Sequence, residues 1–233
     1  MKTEKRFDCV VIGAGHNGLV TAAYLARGGK KVCLLERRAV IGGCSVTEEL
    51  WPGYKISTAS YVLSLLLPEI IDELQLKQNG LCILPRNPSS FTPCRDGRHL
   101  LLGPDRAFNQ QQIAKFSERD AAAYAEYEAL LEAVAEQLEP ILAQPAPDLL
   151  PLPRSWRKRS LGKQLRDTRS GWQLYQRLGA LGPRMPEAIE LLTGAARPIL
   201  ERWFESDVLR ATLATDAVIG AFASISAPGT AYV

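Results

Sequence analysis

The hydrophobic pattern at the start of the chain is that of a strand, a helix and a second strand. The mostly apolar run Phe7–Ile12 ends at a glycine, which is typical of a strand buried in a parallel sheet. From Asn17 to Ala26 apolar residues recur every three or four positions and predict a helix. The run Lys31–Glu36 predicts a second buried strand. The sequence therefore predicts a βαβ unit with a right-handed crossover.

After this unit the pattern becomes mainly helical. Pro68 is expected to open a short helix that continues to about Leu76, because proline is favoured at the first helical position. A longer helix is expected to begin after Ser117 as its N-cap, with Asp120 as the weaker half of a capping box. Pro140 is expected to end that helix, since proline removes a backbone hydrogen bond.

The remaining segments carry turn signals or a later helix. Residues 37–60 and 81–104 are expected to form short strands and turns. Four prolines between 145 and 153 indicate a loop or linker. Ser206 is a candidate N-cap for a last helix that continues to about Val218.

Composition narrows the functional class. The chain has 233 residues, of which 46% are hydrophobic and 23% charged, and its net charge of +3 argues against a nucleic-acid-binding protein. Its apolar stretches are shorter than the roughly 20 residues of a membrane-spanning helix. The five cysteines include no C-x-x-C pair, so a disulfide framework, a dithiol centre and a clustered-thiolate metal site are not expected.

The candidate chemistry lies in the turn between the first strand and the helix. Residues 13–18 read G-x-G-x-x-G, in which Gly13 permits a tight turn, Gly15 lets a pyrophosphate approach, and Gly18 lets helix and strand pack. The phosphates would lie at the helix N-terminus. Glu36 ends the second strand about 20 residues later, where a carboxylate can bind a ribose diol. The motif predicts a dinucleotide site.

A second pair of glycines favours FAD over NAD. Gly42-Gly43 follow the acidic residue closely and offer another place for close backbone approach, which suits a long, embedded FAD. Two alternatives remain open. In the first, the chain is an NAD-dependent dehydrogenase. In the second, it is a truncated product that binds a nucleotide or a partner without turnover.

Residues 7–60 resemble the FAD-binding start of the amine oxidase and phytoene desaturase superfamily. In that superfamily an arginine and a Gly-Gly doublet follow the acid and contact FAD, whereas Cys44 here replaces the arginine that often follows the doublet. The resemblance implies that the cofactor-binding residues are Gly13, Ala14, Gly15, Asn17, Gly18, Glu36, Arg37, Arg38, Gly42 and Gly43. No catalytic residue can be named from the resemblance, because in that superfamily the flavin accepts the hydride. No metal site is expected.

Further segments resemble one branch of this superfamily of FAD-dependent oxidoreductases. They are GAGHNGL, LERRAVIGG, VTEE, ASYVLSLL, RNPSSFTP and WFESDVLRATLATDAVIGA. The resemblance implies hydride transfer from a substrate C–H bond to FAD, with a small apolar or amphipathic substrate. Animal members are placed in mitochondria and associated with regulating mitochondrial function, which implies a matrix location. The N-terminus shows no transit peptide, so a bacterial chain, or one that starts at Met1, would be cytoplasmic.

The predicted fold class is therefore α/β. We expect an FAD-binding Rossmann-like region over residues 1–104 and a mainly helical, incomplete substrate domain over 105–233. Because full members are over twice as long and the chain stops in an apolar run, we expect it to be truncated, with weak FAD binding and no turnover from it alone. Cationic residues with two tryptophans between Arg154 and Trp172 have two interpretations, a peripheral membrane contact or a solvated helix face.

Overall fold

The computed structural model describes residues 6–60, 62–63, 66–142, 144, 146–148, 160–219 and 222–231. The chain divides into two compact units, Met1–Leu84 and Pro85–Val233. This division falls earlier than residue 104, and the functional ranges 1–104 and 105–233 stay predictions. The predicted linker at 145–153 and the start of the basic stretch lie largely outside the described residues.

The first unit contains the predicted βαβ arrangement. Strands β1 and β2 pair in parallel, with Cys9 opposite Val32 and Ile12 opposite Leu35. Strands β3 and β4 form an antiparallel hairpin, as expected for residues 37–60. The elements are β1 (Cys9–Ile12), α1 (His16–Arg27), β2 (Val32–Leu35), a 3₁₀ turn (Gly43–Ser45), β3 (Thr47–Trp51), β4 (Tyr54–Ser57) and α2 (Pro68–Glu73). The α/β fold class is confirmed.

The prediction that both parallel strands are buried is wrong. Along β1 the burial alternates, and the side chains of Val10 and Ile12 are exposed. On β2, Leu35 is also exposed. Helix α1 packs on the two-stranded sheet, and one covering helix leaves alternate side chains of each strand in contact with solvent.

The second unit is mainly helical and contains most of the hydrophobic core. An antiparallel hairpin precedes the helices, as expected for residues 81–104. Its core includes Leu100, Ile113, Tyr127, Ile199 and Phe204. The elements are β5 (Ser90–Pro93), β6 (His99–Leu102), α3 (Arg106–Ala114), α4 (Glu118–Leu142), α5 (Leu161–Ala180), a 3₁₀ turn (Gly182–Arg184), α6 (Met185–Thr193), α7 (Ala196–Trp203) and α8 (Asp207–Asp216).

The helix signals were partly right. Ser117 Oγ accepts a hydrogen bond from the Asp120 N–H (3.1 Å), and Ser206 Oγ caps α8 by accepting from the Leu209 N–H (3.4 Å). Pro140 does not end α4, which continues to Leu142, because a proline in the last turn removes only one of the helix's hydrogen bonds. Helix α3 was not predicted, since its sequence is short and polar.

Asp120 has a different role from the predicted capping box. Its buried carboxylate accepts hydrogen bonds from the backbone N–H groups of Glu205 (2.9 Å) and Ser206 (2.8 Å). These contacts fix the first turn of α4 to the residues that begin α8. A buried carboxylate needs such donors, so Asp120 stabilises the packing of the two helices.

Candidate functional site

The glycine turn between β1 and α1 is formed from backbone in close contact. Gly13 has a φ of +97°, which favours glycine, and its N–H donates to the Leu35 carbonyl (2.7 Å). A Cβ added to Gly18 would lie 2.0 Å from the Gly13 carbonyl oxygen. The turn therefore requires a residue without a side chain at position 18, as the sequence motif predicted.

The N-terminus of α1 has no side-chain cap and no acidic residue in its first turn. Gly15 is the N-cap residue of α1, all of whose residues the structure describes, and it has no side chain to cap the helix. The first N–H groups of a helix have no acceptor within the helix, and the helix dipole makes this end positive. Such an end favours a phosphate.

The Gly42-Gly43 doublet packs directly against this turn. The Gly42 N–H donates to the Ala14 carbonyl (2.8 Å), and Gly42 also pairs with Gly15 as an isolated parallel bridge. A Cβ added to Gly43, whose φ is +59°, would lie 2.9 Å from the Gly15 Cα. The glycine turn and the Gly42-Gly43 doublet thus form one surface of backbone atoms. A ligand can approach this surface more closely than it could approach side chains.

Glu36 connects the second strand to the same turn. Its Oε2 accepts from the Ala14 N–H (2.7 Å) and its Oε1 from the Arg38 N–H (2.9 Å). Hydrogen bonds from the Arg38 and Ala14 backbone lower the pKa of the Glu36 carboxyl below its ordinary value. Each carboxylate oxygen retains a lone pair after these bonds, so the predicted ribose contact fits the geometry and stays a prediction.

The other predicted contact residues surround this core of the site. Arg38 pairs with Glu48 (2.5 Å), which lies in the VTEE segment and was not singled out from the sequence. The Asn17 carbonyl accepts from the Thr21 hydroxyl (2.7 Å), and Asn17 and Arg37 are both exposed. The arrangement therefore places the glycines and Glu36 together, with the arginines at the solvent side.

A separate apolar cavity lies within the helical unit. Its volume is about 340 Å³, and helices α4, α6, α7 and α8 line it mostly with alkyl side chains. Tyr127, Asp216 and Thr230 supply its polar groups, together with Glu139. Burial, followed by the nearby negative charge of Asp216, raises the pKa of Tyr127. No sequence signal identified this set, because its members are far apart along the chain.

Two absences apply to the described part of the chain. None of its helices combines the length and hydropathy needed to cross a bilayer. No three histidine, cysteine or acidic side chains come together there as a metal-binding group. All five cysteines are free thiols.

The model of the NAD(P)-binding Rossmann-like domain matches residues 11–69, which contain the G-x-G-x-x-G turn, the Gly42-Gly43 doublet and Glu36. The chain is 47% identical to pyridine nucleotide-disulfide oxidoreductase domain-containing protein 2 of Rattus norvegicus over 97% of its own length. This similarity confirms the resemblance that the sequence motifs indicated. The match covers 40% of the rat protein, so the chain spans well under half the length of this relative.

Two other relatives match about half of the chain. A limonene dehydrogenase subunit of Castellaniella defragrans is 38% identical over 54% of this chain and 23% of its own length. Phytoene desaturase of Cercospora nicotianae is 32% identical over 51% of this chain and 20% of its own length. The resemblance to the desaturase superfamily, drawn first from the glycine motifs, is thus accompanied by similarity to proteins named as a dehydrogenase and a desaturase.

Proposed function

We propose that this chain, a relative of oxidoreductases with a Rossmann-like dinucleotide site, forms the nucleotide-binding part of an FAD-dependent oxidoreductase. The observation that carries the proposal is the packing of Gly42-Gly43 on the Gly13–Gly18 turn. This packing makes the surface of bare backbone available to a ligand longer than the one that the Gly13–Gly18 turn provides alone. FAD supplies a flavin that accepts a hydride, and this chain would hold its ADP portion.

Each part of the turn has a defined role in this proposal. The N–H groups at the start of α1 donate to the pyrophosphate, and the bare backbone at Gly15 and Gly43 lets it approach. Glu36 accepts from the adenosine ribose hydroxyls while it holds the Ala14 N–H. Its negative charge would repel a 2′-phosphate, which argues against a cofactor of the NADP type.

The helical unit offers a place for an apolar substrate. A cavity of about 340 Å³ is within the range of about 300–1,000 Å³ that small-ligand sites occupy, and its lining is mostly alkyl. Relatives named for limonene and phytoene, both hydrocarbons, support an apolar substrate class. Tyr127 and Asp216 would orient any hydroxyl or amine that such a substrate carries.

The test is a titration of the purified chain with FAD, ADP and NADH. FAD binding is measured by quenching of flavin fluorescence, and the binding of ADP and NADH by their competition with FAD. We expect FAD and ADP to compete for one site, and FAD to bind about tenfold tighter than NADH because of the additional backbone surface. Stronger binding of NADH than of FAD would favour the NAD-dependent alternative. Binding of none of the three would refute the dinucleotide site itself.

A glycine variant locates the site. Gly15→Val places a branched side chain against Gly43 and into the space assigned to the pyrophosphate, so FAD and ADP affinity should fall about tenfold or more. Gly162→Val is the matched control, because nothing lies within 4 Å of a Cβ added there. Equal FAD affinity for Gly15→Val and the wild type would show that the phosphates lie elsewhere.

A further inference from the structure

Helix α5 presents an apolar stripe to solvent. Leu161, Leu165, Trp172 and Tyr175 are 78%, 72%, 59% and 70% exposed. Their spacings of four, seven and three residues place them on one face of the helix. The Trp172 and Tyr175 rings stack with centroids 5.7 Å apart. Surface helices ordinarily turn such residues toward the core, so this face has a use outside the core.

The helix is held in place by other residues. Leu178 lies outside the stripe and packs against the core of the helical unit, and α5 contacts α4. Ser160 caps its N-terminus by accepting from the Lys163 N–H (3.4 Å). The apolar stripe is therefore presented by an anchored, capped helix.

The charges of α5 indicate what kind of surface it meets. The helix has four cationic residues and one acidic residue, and Lys163, Arg166 and Arg169 are exposed. Four more cationic residues immediately precede it in sequence, between 154 and 159. A second copy of the chain would bring two positively charged helices together, and like charges oppose that contact. An anionic surface is complementary to this helix.

We propose that α5 binds the surface of a membrane containing anionic lipids, with its apolar stripe at the boundary between headgroups and acyl chains and its cationic residues on the polar face of the helix. Tryptophan and tyrosine favour the boundary between headgroups and acyl chains, because each combines an apolar ring with a polar group. Amphipathic helices with a cationic polar face bind membranes in this orientation. The helix lies on the membrane and does not cross it.

The experiment measures flotation of the 233-residue chain with two kinds of vesicle. One is phosphatidylcholine alone, and the other is an equimolar mixture of phosphatidylcholine and phosphatidylserine. We expect binding about tenfold stronger to the anionic vesicles, which weakens as salt is added. The double variant Leu165→Glu, Trp172→Glu should lose most of this binding, since both residues would then place a carboxylate among anionic headgroups. Ile189→Glu, at an exposed position on α6, is the control and should bind as the wild type does.

Further variants separate the lipid surface from the other occupants. The double variant Arg166→Glu, Arg169→Glu should lose the preference for anionic vesicles while circular dichroism shows an unchanged helix content. Equal binding to both vesicle types, or unchanged binding of the Leu165→Glu, Trp172→Glu variant, would overturn the proposal. It would also be overturned if that variant changed only the oligomeric state in gel filtration, because the face would then be an interface between copies.

Discussion

Replacing Gly18 with alanine tests the close contact on which the dinucleotide turn depends. In the structure the added Cβ would lie 2.0 Å from the Gly13 carbonyl oxygen, against 3.4 Å for an ordinary contact. Helix and turn must therefore separate by more than about 1 Å. The obstacle is a backbone atom, so no side-chain rotation relieves the overlap.

The expected size of the effect is the difference between two contributions. Forcing an extra methyl into packed structure costs about 1–3 kcal/mol, and an overlap with backbone belongs at the upper end of that range. Alanine recovers about 1 kcal/mol of helix propensity relative to glycine. We therefore expect a net loss of about 1–2 kcal/mol in the stability of the β1–α1 segment, with weaker ADP binding.

Hydrogen exchange read by mass spectrometry over residues 9–27 gives this local opening free energy directly. Gly162→Ala, in an open position on α5, is the control and should leave exchange in this segment unchanged. If Gly18→Ala protected the β1–α1 amides as well as the wild type and bound ADP equally, the backbone contact would not limit the site.

Two further predictions concern carboxylates. Glu36→Gln should weaken FAD and ADP binding about tenfold, because a charge-assisted acceptor is lost. Because the pKa of Glu36 is lowered in the folded protein, the contribution of its carboxylate to ADP binding is complete above the ordinary value of 4.5 and is lost as the pH falls through the lowered value. The difference in ADP affinity between the wild type and Glu36→Gln should therefore vanish in acid. A difference that does not depend on pH would contradict this. Asp120→Ala leaves the N–H groups of Glu205 and Ser206 unpaired and should cost about 2–4 kcal/mol in urea unfolding. Asp120→Asn should lose less, and the exposed Glu126→Ala less than about 0.5 kcal/mol; equal stability of all three would refute the role of Asp120.

Local patterns predicted the strand–helix–strand order of the first unit and the position of its candidate nucleotide site. The alternation of apolar runs with a G-x-G-x-x-G turn predicts strand, helix and strand, because each step depends on neighbours a few residues apart. Gly13, Gly18 and Glu36 could be predicted as site residues from spacing alone. Ser117 and Ser206 were likewise identified as helix caps, since a cap acts within three residues of its own position.

Contacts between distant segments were decided only by the tertiary structure. Nothing in the sequence shows that Glu36 receives the Ala14 N–H, that Gly43 lies on Gly15, or that Asp120 holds the start of α8. The cavity beside Tyr127 is formed by four helices that no local rule brings together. The spacing of apolar residues along α5 defines a stripe, but only its anchoring through Leu178 decides that this stripe faces solvent. Periodicity gives a helix its faces, and packing decides which of them is buried.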